Sequence, residues 1–476
     1  MRLVWVVLIG LLWASSAEAV CSGASPTWTA VSAGRTDVGD CYTAAAPEDT
    51  INVPAGSASW STTLTMTKGV KLIGAGSGCP LACNGATTIT NTTGGSLITY
   101  VPATPTANQA FRLSGFTFDG NGGSGPVLGL DTVNTNVPQT KVRIDHNRFQ
   151  NQNTTDSTQS YIHRQGLFFG LVDHSYTIGG VIFMRSNLAG NEDFNWWRNV
   201  PGIRFGAADN NFYFEDNWFN VSDVTMDCIE GFRYAMRYNV FNGGGAPVLD
   251  LHGNNGSQTG CFGAELYGND YRGGTSIFDD RGGITYVHHN TNNVSATYTQ
   301  IRDESDGGNT PIGTYIGPGA PPCPVSLPGA PSRCQDKWSS YYWANRVNLT
   351  GAAWELHFGG SLNCIGSNCS LNTTGMPFPG VDFFYPLSSP PMTEGTLAAR
   401  PATCAVGQGY WATTQSTTDL TGMVGIAPAT PISGILYKCT ATNIWNAGET
   451  LLPYPHPLIA GTDTTPPNAP TGVRVD

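Results

Sequence analysis

Val142-Arg143-Ile144-Asp145-His146-Asn147-Arg148-Phe149, Phe212-Tyr213-Phe214-Glu215-Asp216-Asn217-Trp218-Phe219, Met236-Arg237-Tyr238-Asn239-Val240-Phe241, Leu266-Tyr267-Gly268-Asn269-Asp270-Tyr271 and Tyr286-Val287-His288-His289-Asn290 share one design. A short apolar strand runs into an asparagine, and an aromatic usually follows. Asn217, Asn239, Asn269 and Asn290 are separated by 22, 30 and 21 residues, the spacing of a solenoid unit of ~20–30 residues with insertions in its loops. The asparagine then has a physical task. At a turn it tolerates the left-handed backbone, stacked amides can bond from one unit to the next, and the following aromatics stack inside.

Composition agrees with a large β protein outside the cell. Charged residues make up only 12%, Gly reaches 59 of 476, and there are 12 Trp, 18 Tyr and 20 Phe. A formal net charge of −11 argues against a nucleic-acid partner, which needs clustered Lys and Arg. It also disfavours a polyanionic sugar unless calcium bridges the two. Arg2, the apolar run Leu3 to Trp13 and the small-residue site Ala17-Glu18-Ala19 read as a secretory signal peptide over 1–19, cleaved after Ala19. Glu18 and Val20 are poor neighbours for a lipidated Cys21, so a soluble exported protein is expected. No other run approaches the ~18 apolar residues of a membrane span.

Twelve cysteines, an even number, fall in near couples, which in an oxidising compartment suggests six local disulfides. The expected pairs are Cys21–Cys41, Cys79–Cys83, Cys228–Cys261, Cys323–Cys334, Cys364–Cys369 and Cys404–Cys439, with connectivity open to test. The spacing offers no metal site, since no pair is separated by two residues and His is sparse nearby.

A short helix is expected over 36–45, capped by Thr36, with Val38, Cys41, Tyr42 and Ala45 on one face. Short strands follow at Thr50–Gly56, around Leu64-Thr65-Met66 and at Val70–Gly74. An amphipathic cap followed by Asp49-Thr50-Ile51-Asn52-Val53-Pro54-Ala55-Gly56 and Gly69-Val70-Lys71-Leu72-Ile73-Gly74-Ala75-Gly76 resembles the opening of right-handed parallel β-helix proteins of the pectate-lyase-like class. The resemblance extends to about residue 310 and implies an all-β fold. The expected architecture is a right-handed parallel β-helix solenoid over 20–390 with an N-terminal capping helix. A small disulfide-stapled β module over 391–447 and a Pro-rich tail over 448–476 complete it.

Within that frame Gly74-Ala75-Gly76-Ser77-Gly78 is a turn, because Cys79-Pro80 follows where a dinucleotide fold needs a helix. Asp119-Gly120-Asn121-Gly122-Gly123 has calcium-loop composition but lacks the glutamate that completes an EF-hand loop. Pro311–Arg333 is a long loop, and Tyr341–Val347 a late coil. In the C-terminal module Tyr410-Trp411 should face Leu436-Tyr437 as a hairpin that caps or docks. Pro466–Val475 resembles the first strand of a fibronectin type III domain, here a tether remnant.

Counting forward from each ladder asparagine places Asp227, Asp250 and Asp280 ten to eleven residues on, and Glu230, His252 and Arg281 twelve to thirteen residues on. Leu249 and Leu251 alternate with Asp250 and His252, apolar in and polar out, whereas Ile277 and Phe278 leave the face of Asp279 and Asp280 ambiguous. Parallel strands lie ~4.8 Å apart, so acids on neighbouring coils approach the ~5–5.5 Å of a retaining glycosidase. Acids two coils apart approach the ~6.5–9.5 Å of an inverting one. Asp227, Glu230, Asp250, His252, Asp280 and Arg281 are therefore the candidate catalytic residues, with Trp196, Trp197 and Arg233 as substrate contacts and Tyr213 as a further sugar-stacking ring.

Ile144-Asp145-His146 resembles a calcium-dependent pectate lyase strand in which the aspartate helps to hold calcium. The arginine-rich strand of those enzymes has no counterpart. Asp279-Asp280 and His252-Gly253 resemble polygalacturonase motifs, but in reversed order and without their Asn-Thr-Asp. Two functions remain open: an exported lyase or glycoside hydrolase acting on polysaccharide or cell-surface glycan along a groove, or a non-catalytic surface, matrix or adhesin-like protein. No cofactor is required beyond a weakly indicated calcium.

Overall fold

The computed structural model describes residues 21–459, apart from 77–85, 124, 133–136, 154–159, 181, 187–210, 223, 229–231, 244–248, 252–253, 256–260, 262, 274–276, 281–283, 294–298, 302–304, 307–339, 348–355, 358–382, 385, 387, 417 and 447. Strands dominate, arranged in three long sheets of 13, 10 and 10 strands, called A, B and C below. The chain visits the sheets in rotation. Phe212–Glu215 lies in A, Trp218–Asn220 in B and Met226–Cys228 in C, and then Arg233–Arg237 returns to A. Along the three sheets strands pair in parallel with those of the preceding passage, as Phe214 with Met236, Phe219 with Phe241 and Asp227 with Asp250. One passage through A, B and C is called a rung below.

The core lies between the three sheets. Ile144, Phe214 and Met236 from A, Phe149, Phe219 and Phe241 from B, and Leu128, Met226 and Leu249 from C belong to one buried cluster. Sheet B adds the expected internal stack, with Phe219 to Phe241 centroids 5.4 Å apart and Phe241 to Tyr271 4.8 Å. Offset ring stacking of this kind adds ~0.5–1.5 kcal/mol per pair beyond area burial.

The asparagines form a continuous amide ladder at the corner between A and B. Asn217 Nδ2 donates to Asn239 Oδ1 at 3.0 Å, Asn239 to Asn269 at 3.0 Å, Asn269 to Asn290 at 3.0 Å and Asn290 to Asn345 at 2.9 Å. Each Oδ1 also accepts the backbone N–H of the preceding ladder residue. Ser175 occupies the place between Asn147 and Asn217. One expectation needs correction: the left-handed residue is the one before the asparagine. His146, His174, Asp216, Tyr238, Gly268, His289 and Ala344 all have φ between 48° and 67°. With the turn made one residue earlier, the asparagine is aligned with its neighbours and all its amide hydrogens and lone pairs are usable inside a buried corner.

The helix spans Arg35–Ala44 with Val38 and Cys41 buried. Thr36 does not cap it. Gly34 holds the N-cap position and its N–H is accepted by Ser32 Oγ at 2.9 Å. Strands not anticipated are Gly56–Trp60 and an antiparallel pair, Cys21–Ala24 with Thr27–Ala30, that opens sheet A. Disulfides Cys21–Cys41, Cys228–Cys261 and Cys404–Cys439 are formed, the signature of an oxidising, extracellular compartment. The other three proposed pairs and the 1–19 leader lie outside the described residues. Among the described residues no helix is long and apolar enough to cross a membrane.

Residues 392–459 pack on the outer face of sheet A. Their own five-stranded sheet pairs Tyr410 with Tyr437 and Trp411 with Leu436, as the hairpin reading expects. Trp411, Leu420, Met423, Ile432 and Leu436 bury the corner residue Tyr238 and the sheet A aromatics Tyr267, Tyr286, Tyr341 and Trp343. Packing continues past 447, where Leu452, Leu458 and Ile459 cover Leu171, Tyr213 and Ala235.

Candidate functional site

Two rows of ionisable side chains run across the stacked strands, one on sheet C and one on sheet A. On sheet C the register aligns Arg185, Asp227, Asp250 and Asp279 on four successive strands. Leu249 and Leu251 enter the core, so alternation turns Asp250 outward. The three carboxylates therefore follow one another at the ~4.8 Å strand spacing, and Asp227 and Asp279 lie two spacings apart. Arg185 Nε meets Asp227 Oδ2 at 3.2 Å. The row is enclosed, with Asp227 6%, Asp250 7% and Asp279 3% exposed. Beyond the row, Asn254–Asn255 pairs with Ser305–Asp306 across the intervening rung, placing a strand pair just past the C-terminal end of sheet C.

Asp280 is not in this row. It is paired with Leu251, one residue out of step, and Phe278 with Leu249. Phe278 takes the inward place in register with Leu249, and that sets Asp279 outside and Asp280 inside. The offset from the ladder asparagine is thus 10, 11 and 10 residues for Asp227, Asp250 and Asp279. The inward Asp280 accepts through Oδ2 from Thr285 Oγ1 at 2.8 Å and from the Tyr342 hydroxyl. Arg233 begins a sheet A strand and is 2% exposed. Tyr213 is fully buried against His456 and cannot stack on a sugar. Glu230, His252, Arg281, Trp196 and Trp197 lie outside the described residues.

The sheet A row escaped a forward count because it precedes the asparagine by two residues. Asp145, Asp173, Glu215, Arg237, Tyr267, His288 and Trp343 are in register. The same offset, read backward in the quoted repeats, would have found it. Here charges are matched. Arg112 Nε and Nη2 donate to the two Asp145 oxygens at 2.7 and 2.5 Å, and Arg143 does the same to Asp173 at 3.0 and 2.9 Å. Arg237 holds Glu215 Oε2 at 2.9 Å. Burial would raise the Asp145 carboxyl, but its hydrogen bonds with Arg112 and His146 and the nearby Arg143 and Arg112 charges hold it well below its ordinary range. Burial pushes Glu215 up to about 7 against the pull of Arg237, and raises Asp216 as well. His174 is opposed by burial, yet its bond to Asp173, with Asp216 and Glu215 beyond, raises it to about 9.

Asp145, His146 and Asp173 bring potential ligand atoms within 4.8 Å of one another. Calcium nevertheless does not fit. Asp145 Oδ1 already accepts from the Arg112 guanidinium, and Oδ2 from the same guanidinium, from Ser114 Oγ and from the His146 ring, whereas calcium needs six to eight oxygen ligands. The Asp119 loop is no better: its oxygens accept N–H bonds from Asn121, Gln150 and Asn151.

Comparison with known protein families, with curated proteins and with solved structures finds no match in any of the three.

Proposed function

We propose that the three sheets wrap as a right-handed β-helix of the pectate-lyase-like class, and that the protein is exported and binds and cleaves polysaccharide along the outer face of sheet C. The observation that carries this reading is the row Asp227, Asp250, Asp279. Carboxylates one and two strand spacings apart supply both separations that glycoside cleavage uses, one group donating a proton to the leaving oxygen and another acting as nucleophile or base. Arg185 beside Asp227 offers a cation for a sugar oxygen or uronate. The test is to incubate the secreted chain with uronic and neutral polysaccharides and to follow new reducing ends and the ultraviolet absorbance of unsaturated uronides. New ends lost in Asp250→Asn support the reading; no product from any substrate removes it.

The alternative, a non-catalytic surface or matrix protein that binds glycans, is favoured by the enclosure of the row, no member of which exceeds 7% exposure. Glycan retention without product would select it.

A further inference from the structure

The seat of the C-terminal module contains three of the chain's 8 histidines, and each occupies a place that suits an uncharged ring. His456 is 3% exposed. Its Nδ1 accepts the Leu458 N–H at 3.1 Å, its ring lies 4.9 Å from Tyr213, and its own backbone N–H donates to Glu215 Oε1 at 3.1 Å. A proton on Nδ1 would turn that acceptor into a donor facing a donor. His288 and His289 are at most 1% exposed, and their Nδ1 atoms are 2.9 Å apart, so one must accept. His288 is sandwiched between Tyr267 at 4.8 Å and Trp343 at 4.2 Å, and Trp411 of the module closes over both rings at 5.3 and 6.1 Å.

We propose that the module is an acid-released cover for sheet A, seated on His288, His289 and His456, which hold their places only while neutral. Protonation of buried histidines is a general way to open an interface. Burial lowers all three rings: His289 and His456 to about 3, with Arg346 and Arg237 adding to it, and His288 well below its ordinary value, with His289 adding to it.

The other charged groups at the seat decide the pH at which release begins. Around His456 stand Glu215, Arg237, Asp173 and Arg143; near the histidine pair stands Arg346; Asp216 accepts from Tyr454 and from the Ala427 N–H, and Lys438 pairs with Glu449. Burial raises Glu215 and Glu394 to about 7 and Asp216 also. A raised carboxyl strengthens seating as pH falls through 7 toward its unfolded value. A depressed histidine weakens seating as pH falls below about 6.5. The two trends offset each other down to about pH 4.5, the ordinary carboxylate range, and below it only the histidines act. Release then takes up as many as three protons, so the open fraction rises steeply with acidity. Opening would present the aromatic row Tyr238, Tyr267, Tyr286, Tyr341 and Trp343 to solvent.

The test is hydrogen exchange by mass spectrometry on the full chain from about pH 7 to about pH 3.5, each sample referred to the unfolded chain at the same pH. The module amides Gly425, Ile432 and His456, which bond Gly268, Tyr238 and Glu215, should lose at least tenfold protection below about pH 4.5 while the ladder amides Asn239 and Asn269 keep theirs. In His456→Gln, which can accept from Leu458 but cannot charge, the loss should move to lower pH. Simultaneous loss in module and ladder would overturn the proposal. So would an unshifted profile in His456→Gln, or release of the module at neutral pH in Glu215→Gln, which would make carboxyl protonation the trigger.

Discussion

The outer faces of sheets A and C are made by the same rungs, yet they treat charge in opposite ways. On sheet A three acids near the covered face meet arginines: Asp145 through both oxygens on Arg112, Asp173 through both oxygens on Arg143, and Glu215 through Oε2 on Arg237. The 392–459 module then closes over part of the row, with Arg237 donating to the Leu452 and Pro453 carbonyls at 2.5 and 2.9 Å. On sheet C three acids follow one another in register behind Arg185. Like charges directly opposite one another destabilise a sheet unless other groups compensate them. On the proposed function, sheet A is a face used for assembly and sheet C a face kept for chemistry.

The largest expected effect attacks the assembly side. Arg237→Met leaves Glu215 buried without its guanidinium and frees two module carbonyls, and removing one partner of a buried pair costs about 3–5 kcal/mol. Denaturant unfolding checks this, and a loss below about 1 kcal/mol would mean that the sheet A pairs are not what holds that face.

Next is the ladder that supports both faces. In Asn269→Ala the Met236 carbonyl loses a donor, the Asn239 N–H loses its acceptor, and Asn290 Oδ1 and Asn239 Nδ2 each lose one of several partners, for about 3 kcal/mol at ~1–3 kcal/mol for each buried group left unmet. A neutral result would show that the backbone pairing of the rungs suffices without the amides.

An effect of comparable size concerns pH. His174 has a folded-state value raised to about 9, so its contribution is complete below the unfolded value of about 6.5 and is lost as pH rises through 9. The shift corresponds to about 3 kcal/mol. Wild type should lose that much between those limits, measured by melting at a series of pH values. His174→Gln should be flat over the same interval; equal alkaline slopes in the two would assign the loss elsewhere.

Much of this architecture was legible in the asparagine repeat, because a buried amide that must bond to its copy on the next rung forces both spacing and stacking. The Asp250 strand could be read for the same reason: Leu249 and Leu251 leave only one face for the acid. Asp280 was misassigned because Ile277 and Phe278 are both apolar and both buried, so alternation alone could not say which faced inward. Ser175 hid a rung, since a hydroxyl can fill an amide's place in the ladder. The ion pairs of sheet A were hidden by distance: Arg112 and Asp145 are 33 residues apart and meet only once the rungs stack.

The most direct measurement is the melting midpoint of Asp250→Asn. Asp250 sits between Asp227 and Asp279. If the sheet C row is kept for chemistry, replacing its middle charge by a neutral isostere relieves repulsion, and the midpoint stays level or rises by the equivalent of up to ~1 kcal/mol. A fall comparable to that of Asn269→Ala, about 3 kcal/mol, would show that Asp250 is a structural bond like those of sheet A and would contradict the distinction between the two faces.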